Sequence, residues 1–159
     1  MYPTIYSNLS YLYITKIETL YKELDMRVIR LNNLSYNNIK CYASKLNKKL
    51  EEAKIKIGIG EGFIEDIVND LISVYIVIGN NNDIYGWMLV KDNELMVIES
   101  FVKNRGVGSL LLCNLKKDYN YIKAEILKDV IGFYKNNNFR VIEEYERRYI
   151  VEWNKEIDK

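Results

Sequence analysis

Lys103-Asn104-Arg105-Gly106-Val107-Gly108-Ser109-Leu110-Leu111 stands where a stretch of strand character, residues 94–102, gives way to a leucine-rich run of helical spacing, about 108–117. Glycines at such a junction let the backbone approach a ligand closely. The first amides of a helix have no partner inside it and, helped by the helix dipole, bind anions. Lys103 and Arg105 bring positive charge to the same turn. The segment suits a pyrophosphate, although a glycine pair of this kind can equally do no more than shape a strand-to-helix turn.

Working upstream, residues 74–78 are apolar and β-branched, and residues 84–90 form the next strand pattern. Gly79-Asn80-Asn81-Asn82-Asp83 and Lys91-Asp92-Asn93 are turns by their chemistry, since Gly, Asn and Asp tolerate positive φ. With residues 94–102 they predict an antiparallel meander. Ahead of it lie a strand over 26–31, a helix from a Ser35 cap to about residue 53 with Tyr42, Leu46 and Leu50 on one face, a glycine-rich loop over 55–62 and a short helix over 63–72. Leu9, Tyr13, Ile17, Leu20 and Leu24 recur at helical spacing behind a Ser7 or Asn8 cap, which predicts an N-terminal helical extension over 1–25. Downstream come a strand over 122–127, a short helix over 130–136 and a closing hairpin over 140–153. Asn138 suits a left-handed helix C-cap. The order gives one α+β domain over 26–159, built on a mixed central sheet flanked by helices.

Composition narrows the chemistry. The chain has 159 residues, 28% of them charged, and a formal net charge of +1, with acidic and basic residues interspersed. A protein that neutralises nucleic-acid phosphates would carry a basic excess, so no nucleic-acid partner is expected. No stretch approaches the roughly 18 uninterrupted apolar residues of a membrane span. Two cysteines, Cys41 and Cys113, make no disulfide framework, and a reduced, cytoplasmic setting is expected. There is no histidine at all. Ser-His-Asp and Cys-His catalysis are therefore excluded, and two thiols are too few for an all-cysteine zinc site, so no metal is expected. A general base must be a carboxylate, tyrosine, lysine, cysteine or relayed water.

A second segment, Ile131-Gly132-Phe133-Tyr134-Lys135-Asn136-Asn137-Asn138-Phe139, lies on the short helix and the start of the next strand. Together the two segments resemble successive motifs of the GNAT superfamily of N-acetyltransferases. The first resembles its acyl-CoA-binding pattern, Q/R-x-x-G-x-G/A followed by leucine-rich helix residues. The second resembles its aromatic-Tyr pair with Gly-Phe four residues on. The resemblance covers about residues 26–153 and is strongest over 74–139. Lys103 stands where the family has Gln or Arg, and Asn138 where it has Gly. The segment Lys128-Asp129-Val130 is shorter than in many members, and the Asn that often contacts the CoA arm has no counterpart; Asp129 or Lys128 would have to cover that role.

The resemblance implies a GNAT-like fold, with the N-terminal helix added to it, and acetyl-CoA as co-substrate. It implies that the strand before the glycine motif splays from its neighbour and holds the thioester and pantetheine through its backbone, here from Ile98 through Ser100 to Val102. Lys103, Arg105, Gly106, Val107, Gly108 and Ser109 would hold the pyrophosphate. Tyr134 matches the tyrosine that protonates the departing thiolate, although in a chain with 14 tyrosines it also suits the core. For the base, Glu125, in Ala124-Glu125-Ile126, is preferred and Glu99 is second; each is equally readable as a solvated strand residue. Cys113 is a small core residue rather than a nucleophile. Glu143, Glu144 and Glu146 would attract a cationic acceptor or merely solvate the hairpin. The leading expectation is an N-acetyltransferase acting on an amine, with a protein N-terminus or lysine favoured because the closing hairpin looks short. The alternatives are an acyl-CoA-binding module with weak or no catalysis and a tyrosine-rich interaction protein. The sequence leaves the oligomeric state open.

Overall fold

The protein is described here by a computed structural model that covers residues 25–57 and 59–158. The helix expected over residues 8–25 falls almost wholly outside them. The described residues form strands β1 (Arg27–Arg30), β2 (Ser73–Ile78), β3 (Ile84–Lys91), β4 (Glu94–Ser100), β5 (Tyr121–Leu127), β6 (Arg140–Glu144) and β7 (Arg148–Asn154). The helices are α1 (Tyr36–Glu52), α2 (Glu61–Val68), α3 (Val107–Asp118) and α4 (Ile131–Asn136). The strands make one mixed sheet in the order β1-β2-β3-β4-β5-β7-β6. All neighbours are antiparallel except β4 and β5.

Each face of the sheet carries its own core. On one face α1 and α2 place Ile39, Leu46, Leu50, Ile64 and Ile67 over Val74, Ile76, Ile84 and Trp87. On the other, α3 and α4 place Val107, Leu111, Leu115 and Tyr134 over Tyr75, Val77, Met88, Ala124 and Ile126. The alternation of β2 splits its side chains between the two cores, while β5 turns Ile122, Ala124 and Ile126 to the α3/α4 core and Lys123 and Glu125 to solvent.

The element order matches the sequence expectation, with local differences. Ser35 caps α1 by accepting from the Asn38 amide at 3.4 Å. The buried stripe of α1 is Ile39, Ala43, Leu46 and Leu50; Tyr42 is only half-buried beside it. The second helix, expected through residue 72, ends at Val68, because Asp70 turns left-handed (φ 56°) and the Leu71 amide folds back onto the Asp66 carbonyl at 2.9 Å. β4 stops at Ser100, two residues early, and a bent loop carries the chain to α3. No helix among the described residues is long and apolar enough to cross a membrane.

Candidate functional site

The irregularity that shapes the site lies in β4. Leu89 faces Val97 and Val90 faces Leu95, so Met96 is an extra residue on β4 and forms a bulge. A bulge bends its strand and raises its twist. β4 stays paired with β3 as far as Gly86 opposite Ser100, yet with β5 its only registered pair is Glu94 with Lys123. Beyond that pair the two parallel strands part. The β5-facing edge of β4, through Ile98 and Ser100, has backbone donors and acceptors with no strand opposite them, which a ligand lying in the gap can use.

The glycine segment sits at the splayed end. Gly106 adopts the left-handed conformation (φ 68°, ψ 25°) immediately before α3, and Asn104 is left-handed too (φ 59°). The chain thereby turns sharply from β4 into α3, whose first amides have no partner inside the helix and suit an anion, with Val107 itself buried and Gly108 and Ser109 half-buried. Lys103, Asn104, Arg105 and Gly106 are all exposed. Ser100 donates its hydroxyl to the Val102 carbonyl at 2.5 Å, while Val102 packs on the α3 core.

Gly108 also has a packing role. A Cβ there would lie 2.9 Å from Cζ of Phe133, so the missing side chain makes room for an aromatic ring from α4. Asn137 then donates to the Ser109 hydroxyl at 3.3 Å and to the Phe133 carbonyl at 2.8 Å. The two sequence segments that carry the resemblance are thus in direct contact. Asn138 is left-handed (φ 66°), and the Phe139 amide reaches back to the Tyr134 carbonyl at 2.9 Å, which closes α4 as expected.

Tyr134 is buried, edge-on to Phe133 (centroids 5.1 Å) and Phe139 (5.4 Å). Burial pushes its phenol up to about 12, so it holds its proton across the neutral range. Glu99 and Glu125 lie on the opposite, α1/α2, side of the sheet. Glu99 is directly across from Trp87, and Glu125 follows the alternation that turns Ala124 and Ile126 to the other core. The two carboxylates flank the gap between β4 and β5. Partial burial raises the Glu99 pKa above the ordinary carboxylate value. Glu125 is exposed and lies 3.8 Å from Arg148. The Lys128 ammonium pairs with Glu144 at 2.6 Å and lies over the ring of Tyr149, which packs on the α3/α4 core, at 5.0 Å.

Gly86 is a residue that sequence reasoning missed. A Cβ on it would lie 2.4 Å from Cγ1 of Val107 and 2.7 Å from the Glu99 carbonyl oxygen. It lets the first residue of α3 rest on the sheet beside β4. A lone glycine inside a strand pattern was the available signal.

No protein-family model and no curated protein matches the sequence. Solved structures do match by shape. NAA60 of Arabidopsis thaliana in complex with acetyl-CoA aligns over 81% of this chain and 98% of its own at 12% identity, TM-score 0.60. The N-acetyltransferase PseH of Campylobacter jejuni in complex with acetyl coenzyme A aligns over 81% and 98% at 16% identity, TM-score 0.52. A GNAT-family acetyltransferase of Staphylococcus aureus aligns over 82% and 99% at 17% identity, TM-score 0.52. The fold of this chain is that of the GNAT acyltransferases.

Proposed function

We propose that the protein is an acetyl-CoA-dependent N-acetyltransferase that moves an acetyl group directly onto an amine, with a protein N-terminus or lysine as the favoured acceptor. The observation that carries the reading is the parting of β4 from β5 beyond Glu94, with the left-handed Gly106 turn at its open end. The same reading draws support from neighbours of this fold whose structures hold acetyl-CoA or CoA. Pantetheine fits the gap as a surrogate strand against the free edge of β4. The pyrophosphate fits the first turn of α3 with Lys103 and Arg105 beside it.

Chemistry then needs two proton movements. An amine must lose a proton to stay bonded to the acetyl carbon, and the thiolate that leaves must gain one. Glu99, raised toward neutrality and at the mouth of the gap, takes the amine proton directly or through a water. Glu125 is second, because it is solvated and close to Arg148. Tyr134, from the opposite face, gives its phenolic proton to the sulfur as the carbon–sulfur bond breaks and the carbon–nitrogen bond forms. Backbone amides of β4 polarise the carbonyl. No enzyme nucleophile takes part; Cys113 is buried in α3. The test is thiol release from acetyl-CoA in the presence of amine acceptors. Acceptor-dependent release that falls in Tyr134→Phe while acetyl-CoA still binds supports the reading; binding without transfer to any amine would favour a CoA-binding module instead.

A further inference from the structure

A cavity of about 570 Å³ opens between the second half of α1 and the β2–β3 turn. Lys45, Lys48, Lys49 and Glu52 of α1 line one side; Asn81, Asp83 and Tyr85 line the other. Lys49 is paired with Asp83 at 3.1 Å. Lys45 and Lys48 make no ion pair among the described residues, and Lys45 lies over the Tyr42 ring at 5.6 Å. Charge complementation of a helix C-terminus acts within the last turn. It accounts for Lys49, in the last turn of a helix ending at Glu52, but not for Lys45. Tyr85 reaches from the cavity to the turn before α3, where the Arg105 guanidinium sits 5.9 Å from the centre of its ring.

The position of the cavity ties it to the acceptor. The Phe101 amide donates to the Tyr85 carbonyl at 2.8 Å, which locks the cavity wall to the chain just beyond β4. Phe101 packs on the α1/α2 core, the face on which Glu99 also lies. Alternate residues of a strand are about 7 Å apart, so the backbone of Tyr85, which lines the cavity, lies roughly 10 Å from that of Glu99. We propose that this cavity is the anion subsite of the acceptor: the substrate is an amine that carries a carboxylate or phosphate roughly 10 Å from its nitrogen, about the reach of three extended residues. Lys45 and Lys48 hold the anion, and the Asn81 amide adds a hydrogen-bond donor. The inference rests on the acetyltransferase reading of the site.

The test uses the full chain saturated with CoA, titrated with inorganic phosphate and followed by amide NMR, beside a Lys45→Gln, Lys48→Gln variant. Phosphate is expected to shift the resonances of Lys45, Lys48 and Asn81 in the parent and not in the variant, with CoA affinity equal in the two. In a transfer assay, a peptide amine with Glu at its third residue is expected to be favoured over its Gln twin by about tenfold, the worth of one charge-assisted hydrogen bond. That ratio should collapse to about one in the variant. Phosphate that leaves the cavity unperturbed, or equal use of the two peptides by the parent, overturns the proposal. So does a variant that loses affinity for CoA but not for 3′-dephospho-CoA, because the lysines would then hold the phosphate of CoA itself. Failure of the parent to bind CoA at all is a separate reading and counts against the acetyltransferase assignment.

Discussion

Tyr134 and Glu99 separate the packing role of a residue from its chemical one. In Tyr134→Phe both edge-on ring contacts survive and only the hydroxyl is lost. Acetyl-CoA binding should be unchanged and kcat should fall about 100-fold, the usual worth of a positioned general acid; equal turnover by the two proteins would remove the tyrosine from the mechanism. Glu99 must be ionised to act as base, and burial raises its pKa. The acid limb of kcat/KM should therefore lie above the ordinary glutamate value, with activity lost as pH falls through it. Glu99→Gln should lower the rate and abolish that limb, while Glu125→Gln should leave it in place; the pH–rate profiles of the three proteins decide the order. Gly86 is structural. A methyl group there meets the Glu99 carbonyl and Val107, so Gly86→Ala should cost about 1–3 kcal/mol, read as a Tm lowered by about 2–4 °C per kcal/mol. Gly106 and Asn138 were legible beforehand because residue type and turn chemistry are local. The packing contacts of Gly86 and Gly108 were not, because each depends on a side chain distant in sequence.

The elements themselves were largely readable. The turns at residues 79–83 and 91–93 bracket strands whose apolar and β-branched character is plain, and all seven strands fall where the pattern puts them. What the pattern concealed is the bulge at Met96. Leu95, Val97 and Ile98 look like an ordinary run, and only the register against β3 exposes the extra residue. The parting of β4 and β5 is likewise a tertiary property. It makes a prediction at this scale: amide exchange in β4 and in the loop over 101–106 should slow on adding acetyl-CoA, whereas β2, paired on both sides, should be unaffected. Protection confined to other elements would place the cofactor elsewhere. The cavity beside α1 was also unreadable, since residues 45–49 meet residues 81–85 only through the fold.

At the scale of the molecule, the sheet stands between two working faces. α3, α4 and Tyr134 occupy one; α1, α2, Glu99 and the lysine-lined cavity occupy the other, and the gap between β4 and β5 joins them. In the proposed mechanism the two substrates meet from opposite faces and must be bound together before reaction. Initial-rate plots against acetyl-CoA at several acceptor concentrations should therefore intersect, and Cys113→Ala should keep its activity. Parallel lines would indicate a covalent acetyl-enzyme and contradict direct transfer.

The most direct test of the account is a calorimetric titration of acetyl-CoA into the parent protein and into Gly106→Glu, which places a carboxylate in the exposed turn before α3, with circular dichroism to confirm that the variant is folded. The account predicts one-to-one binding by the parent and its loss in the folded variant. No binding by the parent, or equal binding by the variant, would contradict it.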